Sequence, residues 1–387
     1  MDSACDESWE LLLSLFPVGW QQSAVLSGAL ERLRGFSSVE QLLRVLLLHV
    51  GKGYSLRETA VRAKQTGLAS VSDVTLLNRL RQAEAWWHGL CLALLTESGW
   101  YVGADSRGWN VRALDGTLIK EPGRTGSLWR LHYSLRLPSL ECDHLALTAF
   151  RGSGTGEKLE RFPAAPGDLV LADRGFCKPP GVRALVQQGA GVIVRLNTST
   201  LPLSEADGRP FPLLRRLRSV SSPGRVRQWK VWVATDGQRI AGRLCVVRKT
   251  EQAYQRAQRK IRRTAQLAGS RTKPETLEYA RYVMVFTTVP EESFPAPDVL
   301  EWYRVRWQIE LVFKKLKSLA ALGHLPKYDD RSARAWLYGK LLVALLGQKL
   351  QRLGRAISPW GYRLPDVQSG QPLAPIQFSA AHRPTSH

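Results

Sequence analysis

Residues 168–197, DLVLADRGFCKPPGVRALVQQGAGVIVRLN, decide the fold class of this chain. Two short apolar runs, DLVLA at the start and GVIVR near the end, have the length and composition of buried strands. Between them, Pro179 and Pro180 begin a helical pattern that ends at Gly189, as prolines in a first turn and a glycine after a last turn do. A strand, a helix and a second strand predict a β-α-β unit within an α/β or α+β protein.

The sequence before this unit contains a helical region and three further strand patterns. Residues 1–104 repeat apolar positions every three or four residues, which predicts an all-helical region. The strand patterns begin at Asn110 (NVRALDG), Trp129 (WRLHYSLRL) and His144 (HLALTAF). With the two strands of the β-α-β unit, they predict five strands.

The sequence after the unit returns to helices. Residues 199–284 read as hairpin-like pieces, with a tight-turn signal at Asp236-Gly237 and one basic helical pattern, AYQRAQRKIRRTAQLA. Two strongly periodic stretches, 298–322 and 332–353, then predict long helices.

The overall charge predicts a polyanionic partner. Among 387 residues, 55 Lys and Arg against 33 Asp and Glu leave a net charge of +22. A hydrophobic content of 44%, with 13 Trp, excludes a disordered or low-complexity chain. A basic folded protein of this kind is typical of nucleic-acid binders, although charge alone also fits a basic protein with no such role.

Targeting and cysteine patterns favour the reduced cytoplasm. No apolar stretch approaches the ~18 residues of a spanning helix, so no membrane segment is expected. The N-terminus, MDSACDESWELL, opens with acids rather than the positive charges of a secretory signal. The cysteines at 5, 91, 142, 177 and 245 form no CxxC pair and no four-ligand zinc cluster.

Within the helical region, two short helices resemble a helix-turn-helix. Ser55 opens a capping box for the first helix, which ends at Gly67, and Ser72 can cap the second. The second helix offers four candidates for contact with a DNA groove: Asn78, Arg79, Arg81 and Gln82. An ordinary helical hairpin with a solvated basic face fits the same pattern, so both interpretations stay open.

Two aspartates follow strand patterns at positions where ligands often bind. Asp115 ends the run NVRAL and precedes Gly116, whereas Asp173 ends DLVLA and precedes Arg174-Gly175. We expect both side chains to project from strand ends, where open sheets place their ligands. Aspartates before glycine are also common in turns, which is the structural alternative for each of them.

A third carboxylate, Glu310, lies in the helical pattern that begins near Asp298. At 100° per residue, one side of this predicted helix carries Tyr303, Arg306, Glu310, Lys314 and Lys317. Another side carries the apolar residues Val305, Ile309, Val312 and Leu316. The apolar stripe is predicted to pack on the sheet, which leaves Glu310 and the cations on the open side. A solvated face joined by ion pairs four residues apart is the alternative.

Together the three acids suggest phosphoryl transfer. Mg²⁺ prefers oxygen ligands, and two-metal sites often use a few carboxylates together with substrate phosphate. Arg306 and Lys317, one or two turns on either side of Glu310, are placed to neutralise phosphates, and Tyr303 can donate its hydroxyl to one.

The pattern Tyr303-x2-Arg306-x3-Glu310-x6-Lys317, preceded by Asp115-Gly116-Thr117 and Asp173-Arg174-Gly175-Phe176, resembles the DDE transposases of bacterial insertion sequences, in particular the insertion-sequence-four family. The resemblance implies an α/β, RNase H-like catalytic core, a mixed sheet flanked by helices. The resemblance covers about 105–350 and implies core parts at 105–198 and 285–350 with a β-rich insertion at 199–284. The helical region at 1–104 is the expected DNA-binding region, and the Pro- and Ser-containing segment 351–387 is expected to be a mobile C-terminal tail.

The resemblance also implies chemistry and partners. Asp115, Asp173 and Glu310 would hold divalent metal, Mg²⁺ or Mn²⁺, with two ions expected. The expected DNA contacts come from Tyr303, Arg306, Lys317, Arg174 and Lys314. The family reaction is cut-and-paste transposition, in which terminal inverted repeats are cut and joined to target DNA by a protein that is a dimer on DNA. The expected location is the bacterial cytoplasm, at the nucleoid.

Some assignments remain open at this stage. Trp229, Trp232 and Tyr282 compete as the aromatic that stacks on a flipped base, and each also fits a strand residue in the insertion's own core. Two alternative functions share some of the same features. One is a sequence-specific DNA-binding protein without catalysis, and the other is an RNase H-like nuclease without strand transfer.

Overall fold

One mixed sheet forms the centre of the computed structural model, with helices packed on both of its faces. The structure describes residues 3–30, 32, 35–97, 108–120, 128–137, 139–318, 325 and 329–356. Within these ranges the sheet has eight strands: β1 (Asn110–Lys120), β2 (Leu128–Leu137), β3 (Cys142–Ala149), β4 (Asp168–Ala172), β5 (Gly191–Arg195), β6 (Val226–Thr235), β7 (Gln238–Arg248) and β8 (Tyr282–Thr287). Their order across the sheet is β3-β2-β1-β4-β5-β8-β7-β6.

The predicted β-α-β unit is present. β4 and β5 pair in parallel, and helix α7 (Pro179–Gln187) connects them, with prolines in its first turn as expected. β1 also runs parallel to β4, whereas the other described strand pairs are antiparallel. All five strands predicted from the sequence exist, and a mixed α/β sheet flanked by helices is confirmed.

Six helices of the described chain precede the first strand of the sheet. The first seven are α1 (Ser3–Ser14), α2 (Trp20–Leu26), α3 (Val39–Lys52), α4 (Leu56–Gln65), α5 (Asp73–Gln82), α6 (Glu84–Glu97) and α7, already introduced. The remaining six in the described chain are α8 (Leu213–Arg218), α9 (Glu251–Leu267), α10 (Pro274–Tyr279), α11 (Ala296–Val305), α12 (Gln308–Ser318) and α13 (Asp330–Ala356). The described residues between 3 and 97 therefore form helices and short connections, as predicted.

Segment 199–284 joins the main sheet. Its strands β6 and β7 form a hairpin, and β7 pairs with β8, which in turn pairs with β5. The hairpin turns at Asp236-Gly237, where both residues have positive φ, 43° and 74°. A two-residue loop with this backbone matches the right-handed twist of the strands, which confirms the turn prediction. The segment also contributes α8, α9 and α10.

The last described helix packs against the first helices. α13 contacts α3, α5 and α6, so the two ends of the described chain share one hydrophobic core. The contact between α13 and α6 is close at Gly339, where an added Cβ would lie 1.9 Å from a ring atom of Trp87. α13 continues to Ala356, so the expectation of a mobile tail from residue 351 is wrong for 351–356, because these residues extend the helix. Residues 357–387 lie outside the described residues.

The two faces of the sheet bury different cores. Leu169 and Leu171 of β4 face the core that includes the N-terminal helices, α12 and α13. Val170 and Ala172, between and after them, face a second core that includes α7. This alternation follows from the period of two residues in a strand. Because both faces are covered, the strands are apolar on both sides.

Candidate active site

Two aspartates lie side by side where parallel pairing ends. Leu114 of β1 pairs with Ala172 of β4, and this is the last pair between these strands. Asp115 and Asp173 are the next residues on each strand. The prediction that Asp115 ends its strand is wrong, because β1 goes on to Lys120 by pairing with β2 after β4 has stopped.

Asp173 begins a short 3₁₀ turn directly after β4. Its Oδ1 accepts a hydrogen bond from the backbone N–H of Arg174 at 2.6 Å. The hydroxyl of Tyr303 donates to the same oxygen at 3.4 Å. Burial, and then the nearby Asp173 carboxylate, raise the pKa of Tyr303, so this side chain is a donor at neutral pH. The strand end and α11 are thereby joined.

A break in the helical stretch 298–322 places the next residues. The single helix predicted there is wrong, because α11 ends at Val305 and α12 begins at Gln308. The backbone N–H of Arg306 bonds to the carbonyl of Tyr303, and that of Glu310 bonds to the carbonyl of Trp307. These bonds span three residues rather than four, so the regular 100° spacing of an α-helix does not apply across the break.

Arg306 connects the acids of β1 and α12. Its Nη1 lies 3.4 Å from Asp115 Oδ2, and its Nη2 lies 2.7 Å from Glu310 Oε1. The guanidinium carbon also lies 5.8 Å from the centre of the Tyr303 ring. Arg306 is 8% exposed. One guanidinium thus draws together two of the three predicted acids and reaches the tyrosine that holds the third.

A fourth carboxylate, Glu157, approaches the same site and was missed by the sequence analysis. A Cβ built on Gly175 would lie 2.0 Å from Glu157 Oε2, and one built on Gly116 would lie 3.5 Å from Glu157 Oε1. The glycines after Asp115 and two residues after Asp173 therefore leave room for this side chain. Glu157 lies in a loop without strand or helix periodicity, so the two glycines were its only sequence signal.

In the immediate surroundings of Asp115, carboxylates outnumber cations, because Asp173, Glu157 and Glu310 accompany the single guanidinium of Arg306. Burial is the main cause that raises the pKa of Asp115 to about 6. The hydrogen bond from Gly116 and the charge of Arg306 oppose this shift, whereas the carboxylates of Asp173 and Glu157 add to it. A carboxyl group held in this way gains from an additional cation.

The carboxylate oxygens of the site are suitable ligands for a divalent cation, although Asp115 and Glu310 contact Arg306 in this structure. In the described part of the chain, no three His, Cys, Asp or Glu side chains form a ready metal cluster. Carboxylate oxygens are nevertheless the ligands that Mg²⁺ and Mn²⁺ prefer. The side chain of Glu310 is 60% exposed, so it is free to leave Arg306 without breaking the core. The excess negative charge and the oxygen donors both match such an ion.

The residues predicted to contact DNA differ in their exposure to solvent. Lys314 and Lys317 are exposed and line one groove together with Asp115 and Glu310. Arg174 is also exposed, on the turn after Asp173. Arg306, in contrast, is buried against carboxylates, although its Nε has no hydrogen-bond partner among the described residues.

The three candidate aromatics lie further along the sheet. Trp229 and Trp232 are half-buried in β6, at the edge of the sheet. Trp229 packs near Phe211, with ring centres 6.2 Å apart, and Arg239 lies over Trp232. Tyr282 is buried at the start of β8. The choice among them stays a prediction.

Helices α4 and α5 have the predicted caps. Ser55 accepts from the backbone of Glu58, and Ser72 accepts from that of Thr75. Two of the four candidate groove contacts have partners within the fold. Arg79 is buried and donates to the carbonyl of Arg32, and Arg81 pairs with Asp329 beside α13. Asn78 is exposed, and Gln82 is half-buried.

Comparison with known proteins agrees with this geometry. Residues 154–346 match the family described as the transposase DDE domain. The chain is 34% identical over 348 residues to a transposase, InsL, of insertion sequence element IS186A from Escherichia coli K12, covering 88% of this chain and 93% of the relative. Identity to the transposase of IS421 from Escherichia coli is also 34%, over 349 residues.

More distant similarity covers about half of the chain. The transposase of IS231C from Bacillus thuringiensis subsp. berliner is 24% identical over 198 residues, 47% of this chain and 41% of the relative. None of the helices in the described ranges is long and apolar enough to cross a bilayer. With an RNase H-like α/β core and high coverage of the first relatives, the chain belongs to the DDE transposases of bacterial insertion sequences and is a DNA transposase.

Proposed function

We propose that Asp115, Asp173 and Glu310 together bind two Mg²⁺ or Mn²⁺ ions and cut the ends of a transposon by phosphoryl transfer. The observation that carries this proposal is the bridge by one guanidinium between Asp115 of β1 and Glu310 of α12. When bound, the ions would activate the attacking hydroxyl and stabilise the leaving oxygen. Asp115, raised to a pKa of about 6, must lose its proton to take part.

The other residues act on the DNA strand. Arg306 has a free Nε and would exchange a carboxylate for a phosphate oxygen once metal neutralises the acids. Tyr303 stays protonated and holds Asp173 in place through its hydroxyl. Lys314 and Lys317, exposed in the groove beside Glu310, supply further charge to phosphates, and Arg174 does so from the turn after β4.

The proposed reaction is cut-and-paste transposition. Hydrolysis at each terminal inverted repeat frees a 3′-hydroxyl, and this hydroxyl later attacks target DNA. Two ends must be joined to one target, so we propose that the protein works as a dimer assembled on DNA. Residues 1–104 are the proposed DNA-binding region.

A matched pair of variants tests the catalytic assignment. Glu310→Gln removes a ligand charge, and Glu301→Gln makes the same change at an exposed residue paired with Arg304 on α11. We expect Glu310→Gln to lower strand cleavage of terminal-repeat DNA by on the order of a thousandfold or more, with DNA binding retained. Glu301→Gln should cleave as the unchanged protein does.

Product analysis separates the alternatives. Cleavage that persists in Glu310→Gln with Mg²⁺ present would overturn the role of this residue. Binding without cleavage by the unchanged protein would indicate a DNA-binding protein, and cut ends that are never joined to target DNA would indicate a nuclease without strand transfer.

A further inference from the structure

Helix α9 is an exposed basic helix outside the catalytic site. It has 17 residues, and Tyr254 is its single buried member. Its sole acid is Glu251, at the first position. One side of the helix is partly covered, and the rest of its surface is open to another molecule.

The cations of α9 are concentrated on one side. At 100° per residue, Arg256, Arg259, Lys260 and Arg263 fall within about 100° of one another and extend over about 10 Å of helix. All four are exposed, and none of them pairs with a carboxylate in the part of the chain that the structure describes. Like charges at this spacing repel one another, so the stripe costs stability unless a polyanion covers it.

The opposite side of α9 does not favour a membrane or an apolar partner. It carries Tyr254, Ala257, Ile261 and Ala265, and apart from buried Tyr254 these are half-buried. A helix bound to a lipid surface needs a wide apolar face with large side chains. This helix has a cationic face but no such apolar face.

The base of α9 is firmly attached to the sheet. Arg281 stacks over the Tyr254 ring, with its guanidinium carbon 4.3 Å from the ring centre. The ammonium of Lys249 donates to the carbonyl of Ala280 at 2.8 Å. Arg248, at the end of β7, pairs with Tyr282, at the start of β8. The helix therefore begins at a defined place.

The start of α9 lies at the same end of the strands as Asp115 and Asp173. β5 runs parallel to β4, so its last residue, Arg195, lies at the end of the sheet that carries Asp173. β8 is antiparallel to β5, and β7 is antiparallel to β8. Tyr282, at the start of β8, and Arg248, at the end of β7, therefore lie at that end of the sheet as well. From β4 to β7 there are three interstrand steps, about 14 Å.

Arg195 connects the two regions electrostatically. Its positive charge acts on Tyr303 in the site and, after burial, is the second cause that lowers the pKa of Lys249 at the base of α9. Positive charge therefore continues from the site towards the helix.

We propose that the stripe Arg256, Arg259, Lys260 and Arg263 binds the phosphate backbone of the duplex that is being cut, beside the scissile position. The contact is independent of base sequence, because all four groups on the stripe are cations. The inference rests on the proposed function, since it takes the cut duplex to lie at Asp115, Asp173 and Glu310.

The test compares neutralised and charge-conserving variants. In one, all four stripe residues become Gln, and in the other Arg256, Arg259 and Arg263 become Lys. Affinity for a duplex carrying the terminal repeat and flanking DNA is measured by fluorescence anisotropy, without metal, at 50 and 200 mM salt. If four phosphate contacts are lost, the affinity of the unchanged protein should fall about a hundredfold more steeply over this range than that of the Gln variant.

Position is tested with uncharged phosphates in the DNA. Methylphosphonates replace the charged phosphates in successive short blocks of the duplex beside the cut, and at one block they should weaken binding by the unchanged protein but not by the Gln variant. The Lys variant should follow the unchanged protein, and circular dichroism should show equal helix content in all three, since Gln is a good helix former.

The outcomes separate this inference from the proposed function. Equal salt dependence of the unchanged protein and the Gln variant would overturn the inference, even if cleavage is normal. Loss of strand transfer with unchanged binding and cleavage would assign α9 to target DNA and also overturn it. Binding to anionic vesicles rather than duplex would overturn it in favour of a lipid surface. Failure of the unchanged protein to cleave would instead count against the proposed function.

Discussion

Strands β1 and β4 carry two clusters of charged groups, which differ in the ratio of cations to carboxylates and in exposure to solvent. One is centred on Arg112, whose Nε lies 2.7 Å from Asp143 Oδ2 and whose Nη1 lies 3.0 Å from Asp168 Oδ2. The other, three residues along β1, is centred on Asp115 and is held by Arg306. Both combine arginine with carboxylates.

The first cluster is closed, and the second is open. The side chains of Arg112, Asp143 and Asp168 are 1%, 2% and 3% exposed, and Arg136 adds a second cation beside Asp143. Around Asp115, the carboxylates of Asp173, Glu157 and Glu310 accompany Arg306, and the side chain of Glu310 is 60% exposed. A balanced buried network stabilises a fold, whereas an unbalanced cluster at a groove is able to bind a cation from outside.

Removal of the central arginine from the closed cluster should have the largest effect. Arg112→Met leaves Asp168 and Asp143 buried without their main partner, and we expect a loss of about 3–5 kcal/mol in the free energy of unfolding. Urea unfolding monitored by tryptophan fluorescence measures this loss.

The matching change in the open cluster should cost much less. Arg306→Met also removes a buried arginine that touches two carboxylates, but Glu310 can turn into water. A loss in Arg306→Met equal to that in Arg112→Met would show that the two clusters are equally closed, contrary to this comparison.

A pH-dependent gain in stability is expected for Asp115→Asn in metal-free protein. The folded state raises the pKa of Asp115 from 3.8 to about 6, so the ionised form destabilises the fold above pH 6. The shift corresponds to about 2–3 kcal/mol, and Asn should recover about 1–3 kcal/mol of it at pH 8. As pH falls from 6 to about 4 the native Asp115 takes up a proton, so the gain should disappear. Unfolding free energies at several pH values measure it.

Metal provides the control for this variant. Mg²⁺ at ten times its dissociation constant should stabilise the unchanged protein by about 1.4 kcal/mol, because the ion binds only the folded state. Asp115→Asn should show a smaller effect. A variant with no gain at pH 8 would contradict the charge excess assigned to the open cluster.

The smallest effect is expected from Glu157→Gln. Glu157 contributes less than Asp173 to raising the pKa of Asp115, so its neutralisation should lower that pKa less than Asp173→Asn does. NMR titration of the Asp115 carboxyl carbon in metal-free protein measures both shifts. An unchanged Asp115 pKa in Glu157→Gln would place Glu157 outside the open cluster.

Local patterns predicted most elements because they depend on neighbours in sequence. The β-α-β unit, the hairpin turn at Asp236-Gly237 and the caps at Ser55 and Ser72 are all present. The break between α11 and α12 was not predicted, since the sequence around Arg306 has no proline or glycine to mark it. The apolar period continues on both sides of the break, so the pattern of a single helix hides it.

The structure brings together the three acids named from the sequence, but the sequence did not predict how they are arranged. Asp115, Asp173 and Glu310 were proposed from the sequence and stay proposed metal ligands, and Arg306 was expected to face DNA. Burial of Arg306 between Asp115 and Glu310, and the approach of Glu157 to Gly175, depend on contacts between distant residues. Contacts of this kind leave no trace in the local hydrophobic pattern from which helices and strands are predicted.

The sequence by itself determined the fold class, the basic character, the order of the acids and the family, because hydrophobic period, net charge and motif spacing are properties of the linear chain. Only the tertiary structure decided which charges are balanced. Arg112 and Asp115 stand three residues apart on one strand, yet one lies in a closed network and the other at an open groove. The difference arises from which distant side chains the fold brings to each position, since charge balance and solvent access are set in three dimensions.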